Sequence, residues 1–445
     1  MKNLFGTDGI RGKANEFPLI PEFVFKIGQS IGWCLTKGKK GVIAIGKDTR
    51  ISCDMLESAL SAGINFAGVD ILPLGVIPTP AVAYLTKIYK ANAGIVISAS
   101  HNTYEDNGIK VFNSDGFKLS DEQEEEIEKN TGEVKFTPSP SALGRTLPHH
   151  KDKDDYIKYL ISTIPSGYDL SQFKIVIDTS NGALFNIAPR LFKKLKAKVK
   201  NYHILPDGTN INHNCGSLHP ENITRKVVKA KADLGLCFDG DGDRVIAIDE
   251  TGQIVDGDRI MAVWASYLKS KNRLKNNVLV STIMSNLGLE KYMKNSGIEF
   301  IRVKVGDRYV LEEMKKRNAV LGGEQSGHII NLDYQTTGDG LLTALHLACI
   351  MKETGEKLSG LKDKFENYPQ ILVNVPVKER KDFLTIPEIK KSIEEVEKEL
   401  NDKGRLSVRY SGTELLARVM IEGQNQEHIQ KLANKIAFAF KENLG

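Results

Sequence analysis

The sequence predicts an α/β protein built from three α/β blocks and a smaller C-terminal α+β unit. Three observations carry this. Short apolar runs alternate with amphipathic stretches at helical spacing over most of the chain. From Gln370 onward the order changes to strand, helix, two strands and helix. Each block also places a glycine- or serine-rich loop directly after a strand, where open α/β sheets bind ligands, so four such loops are expected to face one central cleft.

The first block opens with a strand at 42–45, an amphipathic helix near 55–66 and a strand at 69–72. A helix starts after Pro80, and the strand 93–97 delivers the chain into Ser98-Ala99-Ser100-His101-Asn102. The acidic run 121–128 reads as the solvated face of a helix, and the Pro/Ser-rich stretch 137–148 as a linker. Strands at 174–178, 199–204 and 234–238 form the second block. The third follows Gly257, with strands at 278–281, 299–303 and 319–322 and helices near 287–294, 307–316 and 338–352. A polar segment, 352–368, leads to the last unit: strand 371–377, helix 386–400, strands 406–410 and 416–422, and helix 427–442. The expected domains are 1–150, 151–254, 255–368 and 369–445.

With 445 residues, 41% of them hydrophobic, the chain has material for more than one core. Lys and Arg total 61 against 56 Asp and Glu, a net charge of +5. That mild excess fits a small phosphorylated anion and lacks the dense basic stripe of a nucleic-acid binder, so no nucleic-acid partner is expected. Cys34, Cys53, Cys215, Cys237 and Cys349 are odd in number and scattered, which favours reduced thiols in a cytoplasmic protein. The first residues lack the apolar stretch of an export signal. Runs such as 94–97 are far too short to span a bilayer, so no membrane partner is expected.

The most informative segment is Asp239-Gly240-Asp241-Gly242-Asp243-Arg244. Its spacing lets a short backbone curl three carboxylates around one cation, and packing three like charges this closely is costly unless a cation offsets them. Carboxylate oxygens suit Mg²⁺ or Ca²⁺. Mg²⁺ usually keeps positions open for water and a phosphate oxygen, so the loop points to phosphoryl chemistry with Arg244 beside the anion. A calcium-binding EF-hand also spaces aspartates by two and would find Glu250 at its twelfth position. Its sixth position demands glycine and here is Arg244, while the flanks read as strands.

Two further patterns are decoys. The stretch 41–48 matches most of a nucleotide-binding P-loop, but its four intervening residues form a strand and Asp48 replaces the required Ser or Thr. His213, Cys215 and His219 lie in a Gly/Asn-rich loop without a paired zinc motif and read as loop structure.

Ser100 is the candidate nucleophile, at a strand exit beside His101 and Asn102, with Lys110 a little later. No G-x-S-x-G elbow occurs. On an extended segment neighbouring side chains point to opposite faces, which makes His101 a poor base for Ser100. A metal-linked phosphoserine accounts better for these residues. Arg409-Tyr410-Ser411-Gly412-Thr413-Glu414, with Arg418 on the next strand, offers backbone N–H groups, hydroxyls and guanidinium groups for a phosphate. Arg11, Lys304 and Arg308 add cations on glycine-bearing loops.

Residues 5–12, 98–102, 239–244, 323–328 and 409–414 together resemble the motif series of the α-D-phosphohexomutases, in order and approximate spacing over essentially the whole chain. The resemblance implies three related mixed α/β domains plus a smaller, mobile C-terminal α+β domain around a central cleft. It also implies roles. Ser100 would be the phosphoserine; Ser100, Asp239, Asp241 and Asp243 would hold one Mg²⁺ per chain. Arg11, His101, Lys110, Arg244 and His328 would be catalytic, with His328 or Lys110 moving the hydroxyl proton. Glu324, Ser326, Lys304 and Arg308 would bind the sugar, and Arg409, Ser411, Gly412, Thr413 and Arg418 the phosphate that is not reacting.

Within the family, 323–328 and 305–310 are most similar to the bacterial branch that interconverts glucosamine 6-phosphate and glucosamine 1-phosphate, which feeds UDP-N-acetylglucosamine synthesis. Members acting on mannose and glucose phosphates typically carry Met where this chain has Gln325; they are the first alternative. A phosphoserine-dependent sugar phosphatase is the second. The implied helper is a catalytic amount of hexosamine or hexose 1,6-bisphosphate, and the implied assembly a monomer or homodimer. Thr103 and Leu415 stand where the family commonly has proline, which leaves both loops more freedom to lose on ordering.

Overall fold

The computed structural model describes residues 4–6, 8–132, 138–148, 152–411 and 415–445. Among these the strands form four sheets. The first contains β1 (Phe5–Gly6), β2 (Gly9–Lys13), β3 (Val42–Lys47), β4 (Asp70–Val76), β5 (Ala93–Ile97) and β6 (Asp106–Asn113), ordered β1-β2-β6-β5-β3-β4. The second contains β7 (Lys174–Asp178), β8 (Lys198–Tyr202), β9 (Leu234–Phe238), β10 (Val245–Asp249) and β11 (Ile254–Val255), ordered β11-β10-β9-β7-β8. The third contains β12 (Val278–Thr282), β13 (Glu299–Val303), β14 (Leu321–Gly323) and β15 (Ile329–Asn331), ordered β13-β12-β14-β15.

These three sheets repeat one plan. A central strand (β3, β7 or β12) pairs parallel with two neighbours, and one of those neighbours returns as an antiparallel hairpin, β5–β6, β9–β10 or β14–β15. Each hairpin loop is one of the motif loops: the Ser100 loop, the aspartate loop and the Glu324 loop. β5, β9 and β10 are buried at every position, the pattern of strands covered on both faces. In the first block the helices Pro21–Thr36 and Cys53–Phe66 supply one cover, with Ile27, Ile31, Leu56, Leu60 and Ile64 packed against Ile43, Ile45, Ile95 and Ile97.

The chain divides into two compact units. One holds the three sheets above, up to Met284 and again over Gly297–Lys364. The other joins Ser285–Ser296 to Phe365–Gly445. It contains β16 (Gln370–Pro376), β17 (Gly404–Tyr410) and β18 (Leu416–Gly423), antiparallel in the order β16-β18-β17, with the helices Pro387–Leu400 and Gln426–Leu444 closing its core.

The helix Leu287–Asn295, which follows β12 and precedes β13 in the chain as expected of the third block, packs within this second compact unit. Asn286 and Tyr368 exchange two hydrogen bonds, Asn286 Nδ2 to Tyr368 O at 3.0 Å and Tyr368 N to Asn286 Oδ1 at 2.9 Å, and Tyr292 stacks on Phe365.

Strands 93–97, 174–178, 234–238 and 299–303 have the bounds expected from sequence. The helix Pro21–Thr36 and strands β2, β6 and β15 were not foreseen. The stretch resembling a P-loop is strand β3, and strands β9 and β10 flank the aspartate loop, as the rejection of both decoys requires. No helix among the described residues is long and apolar enough to cross a membrane.

Candidate active site

Ser100 leaves β5 in a left-handed turn, with φ of 53°, and is 1% exposed. Its Oγ donates to Asp239 Oδ2 at 2.8 Å. The backbones of the two loops nearly touch: a Cβ on Gly240 would lie 2.6 Å from the Ser100 carbonyl oxygen. Gly242 takes φ of 73°, which turns the aspartate loop back on itself. The glycines between the aspartates are therefore dictated by close approach and by a left-handed turn.

One carboxylate oxygen from each of Asp239, Asp241 and Asp243 lies within 4.8 Å of the others. All three residues are buried. Asp241 Oδ2 accepts from Thr79 Oγ1 at 2.7 Å and from Lys110 Nζ at 2.9 Å. Asp241 Oδ1 and Asp243 Oδ1 are buried without a hydrogen-bond donor. Burial, reinforced by Asp243 and Asp241, pushes the Asp239 carboxyl well above the usual carboxylate range. Converging carboxylate oxygens and a repulsion that one positive ion would relieve fit a hard divalent cation.

Lys110, on β6, is 2% exposed and lies 2.9 Å from Asp241, 3.3 Å from Asp8 and 3.5 Å from Asp243. Burial alone would lower its pKa, but these carboxylates hold it above the ordinary lysine value. Asp243 is likewise opposed by burial and held well below the usual range by Lys110 and His328. Arg11 pairs with Asp8. Arg244 donates its backbone N–H to Asp239 Oδ1 at 3.1 Å and bridges β-fashion to His328.

His328 Nδ1 lies 3.5 Å from Asp243 Oδ1, and Nε2 lies 3.6 Å from Asp307 Oδ2. Gly338 N–H donates to Nε2 at 3.1 Å, favouring the neutral ring. Burial also works against the cation, yet the Asp243 and Asp307 carboxylates outweigh both and raise the pKa.

The left-handed turn at Ser100 overturns the expectation that His101 points away from it. His101 Nδ1 lies 3.5 Å from Ser100 Oγ, because the segment is a turn and not an extended strand. Burial, with Arg244 and Arg11 adding to it, pulls the His101 pKa down to about 4.

Glu324, Gln325 and Ser326 line a cavity of about 390 Å³ together with Arg244, Thr282, Met284 and Val305. Ser326 Oγ lies 3.4 Å from Glu324 Oε2, and Gly306 N–H donates to Glu324 Oε1 at 3.2 Å. Two further residues expected at the sugar, Arg308 and Lys304, are not among those lining this cavity. Arg308 pairs with Asp121 and with Glu124 Oε1 at 2.8 Å, so its guanidinium ties two sheets' surroundings together. The acidic run is accordingly more than a solvated face. Lys304 is exposed, its Nζ 6.0 Å from the Tyr309 ring centre.

In the second unit Arg409 faces Arg418 across β17 and β18. Burial and Arg418 both lower the Arg409 pKa, a repulsion that an anion would relieve. Ser411 is buried; Gly412 and Thr413 lie outside the described residues. Sequence reasoning missed Thr79, Asp8, Lys118 and Asp307. Lys118 Nζ lies 2.6 Å from both Asp8 Oδ1 and Asp307 Oδ2.

The chain matches the family profiles for phosphoglucomutase/phosphomannomutase α/β/α domains I, II and III over residues 2–138, 154–252 and 256–368, and the C-terminal domain over 372–439. It is 51% identical over 442 residues to a protein of Thermoanaerobacter pseudethanolicus named phosphoglucosamine mutase, covering 98% of each chain. It is 48% identical over 449 residues to the protein of that name from a Geobacter species, covering 100% of this chain and 99% of the other.

Among solved structures, a phosphoglucomutase/phosphomannomutase family protein from Burkholderia thailandensis superposes with a TM-score of 0.83 at 23% identity, covering 100% of this chain and 99% of that one. Aspergillus fumigatus N-acetylphosphoglucosamine mutase, solved with GlcNAc-6P and magnesium, gives 0.68 at 18% identity, covering 99% and 95%. With all four domains matched in order and whole-length relatives at about half identity, the chain belongs to the phosphoglucomutase/phosphomannomutase family.

Proposed function

We infer that this chain interconverts glucosamine 6-phosphate and glucosamine 1-phosphate through a phosphoserine at Ser100 and a bisphosphorylated sugar intermediate. One observation carries the reading: Ser100 Oγ sits 2.8 Å from Asp239 Oδ2, inside a nest of three buried carboxylates. The glucosamine substrate is supported by relatives named phosphoglucosamine mutase at about half identity.

Asp239, Asp241 and Asp243, with an oxygen of the serine phosphate, would hold one Mg²⁺. When bound, that ion supplies charge neutralisation for the phosphoryl oxygens and for the departing serine oxygen.

The remaining chemistry belongs to the chain's own side chains. The bond from phosphorus to Ser100 Oγ breaks as a bond forms to the free 1- or 6-hydroxyl of the sugar phosphate. Lys110 stays protonated between its carboxylates and, with Arg244 and Arg11, offsets charge on the transferring group. His328 would take the hydroxyl proton on Nε2, which lets go of the Gly338 N–H to accept it, while Nδ1 faces Asp243 and Asp307 lies beside Nε2 to steady the cation formed. Glu324 and Ser326 grip sugar hydroxyls in the adjoining cavity, and Arg409, Arg418 and Ser411 hold the phosphate that is not reacting. After the bisphosphate turns over, its other phosphoryl group returns to Ser100 and the proton is given back. A catalytic amount of the 1,6-bisphosphate loads Ser100. The buried free thiols agree with a cytoplasmic enzyme, acting as a monomer or homodimer.

Intact-mass measurement after incubation with bisphosphate should find one phosphate adduct, absent from Ser100→Ala, together with kcat/KM highest for glucosamine phosphate among the glucosamine, glucose and mannose monophosphates. A preference for mannose would favour the phosphomannomutase alternative. Release of inorganic phosphate matching substrate loss, without the isomeric sugar phosphate, would favour a phosphatase.

A further inference from the structure

We propose that Arg50 is a positioning residue for the nucleophile: it holds Ser100 in its left-handed conformation without touching sugar or phosphate. The inference rests on the reading of Ser100 as the phosphoryl carrier. Arg50 is 2% exposed, and all five of its N–H donors are used. Nε donates to Asp48 Oδ2 at 2.9 Å. Nη1 donates to the carbonyls of Thr103 and Asp106, the latter at 3.0 Å, and Nη2 to those of Ser100 at 3.0 Å and Asn102 at 2.8 Å. Four carbonyls of one short loop thus converge on a single planar cation.

Other groups complete the clamp. Asp48 Oδ2 accepts from Ser98 Oγ at 2.6 Å, and Ser98 Oγ accepts from the Ser100 N–H at 2.9 Å. Asn212, from the second block, donates through Nδ2 to the carbonyls of Ser100 and Asn102, both at 2.8 Å. The peptide groups on both sides of Ser100 are therefore fixed. A serine at φ of 53° persists only where its surroundings over-determine it, and that conformation aims Oγ at Asp239. Thr103 stands where the resemblance expects a stiffening proline. Here the stiffness comes from a guanidinium that binds the carbonyls of the loop.

The geometry predicts a defect in transfer with substrate binding intact. Arg50→Lys keeps the charge and loses the fork, so kcat should fall about 10²-fold, the scale of an ångström-size misplacement of a reacting group, while KM stays within about threefold. A cavity of about 320 Å³, lined by Asp48, Arg50, Cys53, Phe185 and Pro206 among others, opens onto this side chain. Millimolar guanidinium should enter it and restore at least about a tenth of the lost rate to Arg50→Ala.

An Arg50→Lys enzyme with wild-type kcat overturns the proposal, as does a folded Arg50→Ala that guanidinium fails to rescue. If neither variant folds, Asn212→Ala decides: lower kcat at unchanged KM supports the clamp, and unchanged kcat overturns it. Failure of the phosphoserine reading itself has a separate signature, full activity in Ser100→Ala, whatever the Arg50 variants do.

Discussion

Lys118 places its Nζ 2.6 Å from Asp307 Oδ2, joining the segment after β6 to the start of the helix Asp307–Arg317. The same ammonium lies 2.6 Å from Asp8 Oδ1. Asp8 in turn reaches Lys110 at 3.3 Å, and Asp307 reaches His328 at 3.6 Å. One cation therefore neutralises two carboxylates that each steady a group of the proposed site. Lys118→Met leaves Asp8 to Lys110 and Arg11 and Asp307 to His328, so unfolding in urea should show a loss of about 1.5–3 kcal/mol, the scale of a hydrogen bond to a charged group. Lys118→Met with Asp307→Asn should lose less than the sum of the single changes, with a coupling of roughly 0.5–3 kcal/mol. Additive losses would mean that the pair does not act as a unit.

The aspartate nest predicts how metal and stability are linked. Without a cation, Asp239, Asp241 and Asp243 repel, and burial makes that repulsion costly. Chelation should lower the thermal midpoint and abolish turnover. Added Mg²⁺ should restore both, with about 2.7 kcal/mol of stabilisation at a hundred times the Kd. Asp239→Asn removes one of the like charges, so the metal-free variant should be more stable than the metal-free parent and gain less from Mg²⁺. A scanning measurement giving equal Mg²⁺-induced shifts in both would place the ion elsewhere.

The legible parts of the site were those written locally. The aspartate loop, the Ser100 loop and the Glu324 loop declare themselves through glycines and carboxylates at short spacing, and each lies at the same hairpin of a repeated sheet plan. What was not legible depends on distant partners. The strand Asp106–Asn113 places Asn107 and Lys110 in the interior, so its polar residues break the apolar pattern that marks a strand. Thr79 is one hydroxyl before a proline until Asp241, 162 residues away, accepts from it. His101 was misjudged because one left-handed residue reverses the alternation of an extended segment. The pairing of Arg308 with Glu124 was hidden because Glu124 lies 184 residues earlier in the chain.

Asp339 gives a pH prediction away from the metal nest. It caps the helix Gly340–Thr354 through the Leu342 N–H at 2.9 Å, and it accepts from Tyr156 Oη at 2.7 Å. Burial raises its pKa from 3.8 to about 6, against the pull of these donors. The folded protein thus binds this proton more tightly than the unfolded chain. The resulting stabilisation, about 3 kcal/mol, is complete below about pH 4 and is lost as pH rises through about 6. Asp339→Asn keeps a capping oxygen and removes the titration. Between about pH 4 and pH 7 the difference in unfolding free energy should therefore move about 3 kcal/mol in the variant's favour. A difference that stays flat with pH would show that Asp339 does not titrate as its burial requires.

Gln325 stands where members acting on mannose and glucose phosphates typically carry Met. Gln325 turns its Nε2 toward Asp256 Oδ2 at 3.3 Å, and Asp256 caps the helix Gly257–Ser270 through the Arg259 N–H at 3.1 Å. The amide is thus engaged with a helix cap, although the residue also lines the cavity beside Arg244, with Glu324 and Ser326 on either side. Gln325→Met should cost about 0.5–1.5 kcal/mol of stability through the lost hydrogen bond. Because its amide is held by Asp256, the change should shift the glucosamine-to-mannose ratio of kcat/KM by less than about threefold, below the 10–200-fold that a methylene touching the substrate can give. Glu324→Gln should instead lower kcat/KM for every sugar, by about 10²-fold, because it weakens a charged partner of the sugar hydroxyls. A ratio that swings toward mannose in Gln325→Met would show that this side chain leaves the cap and reads the sugar directly.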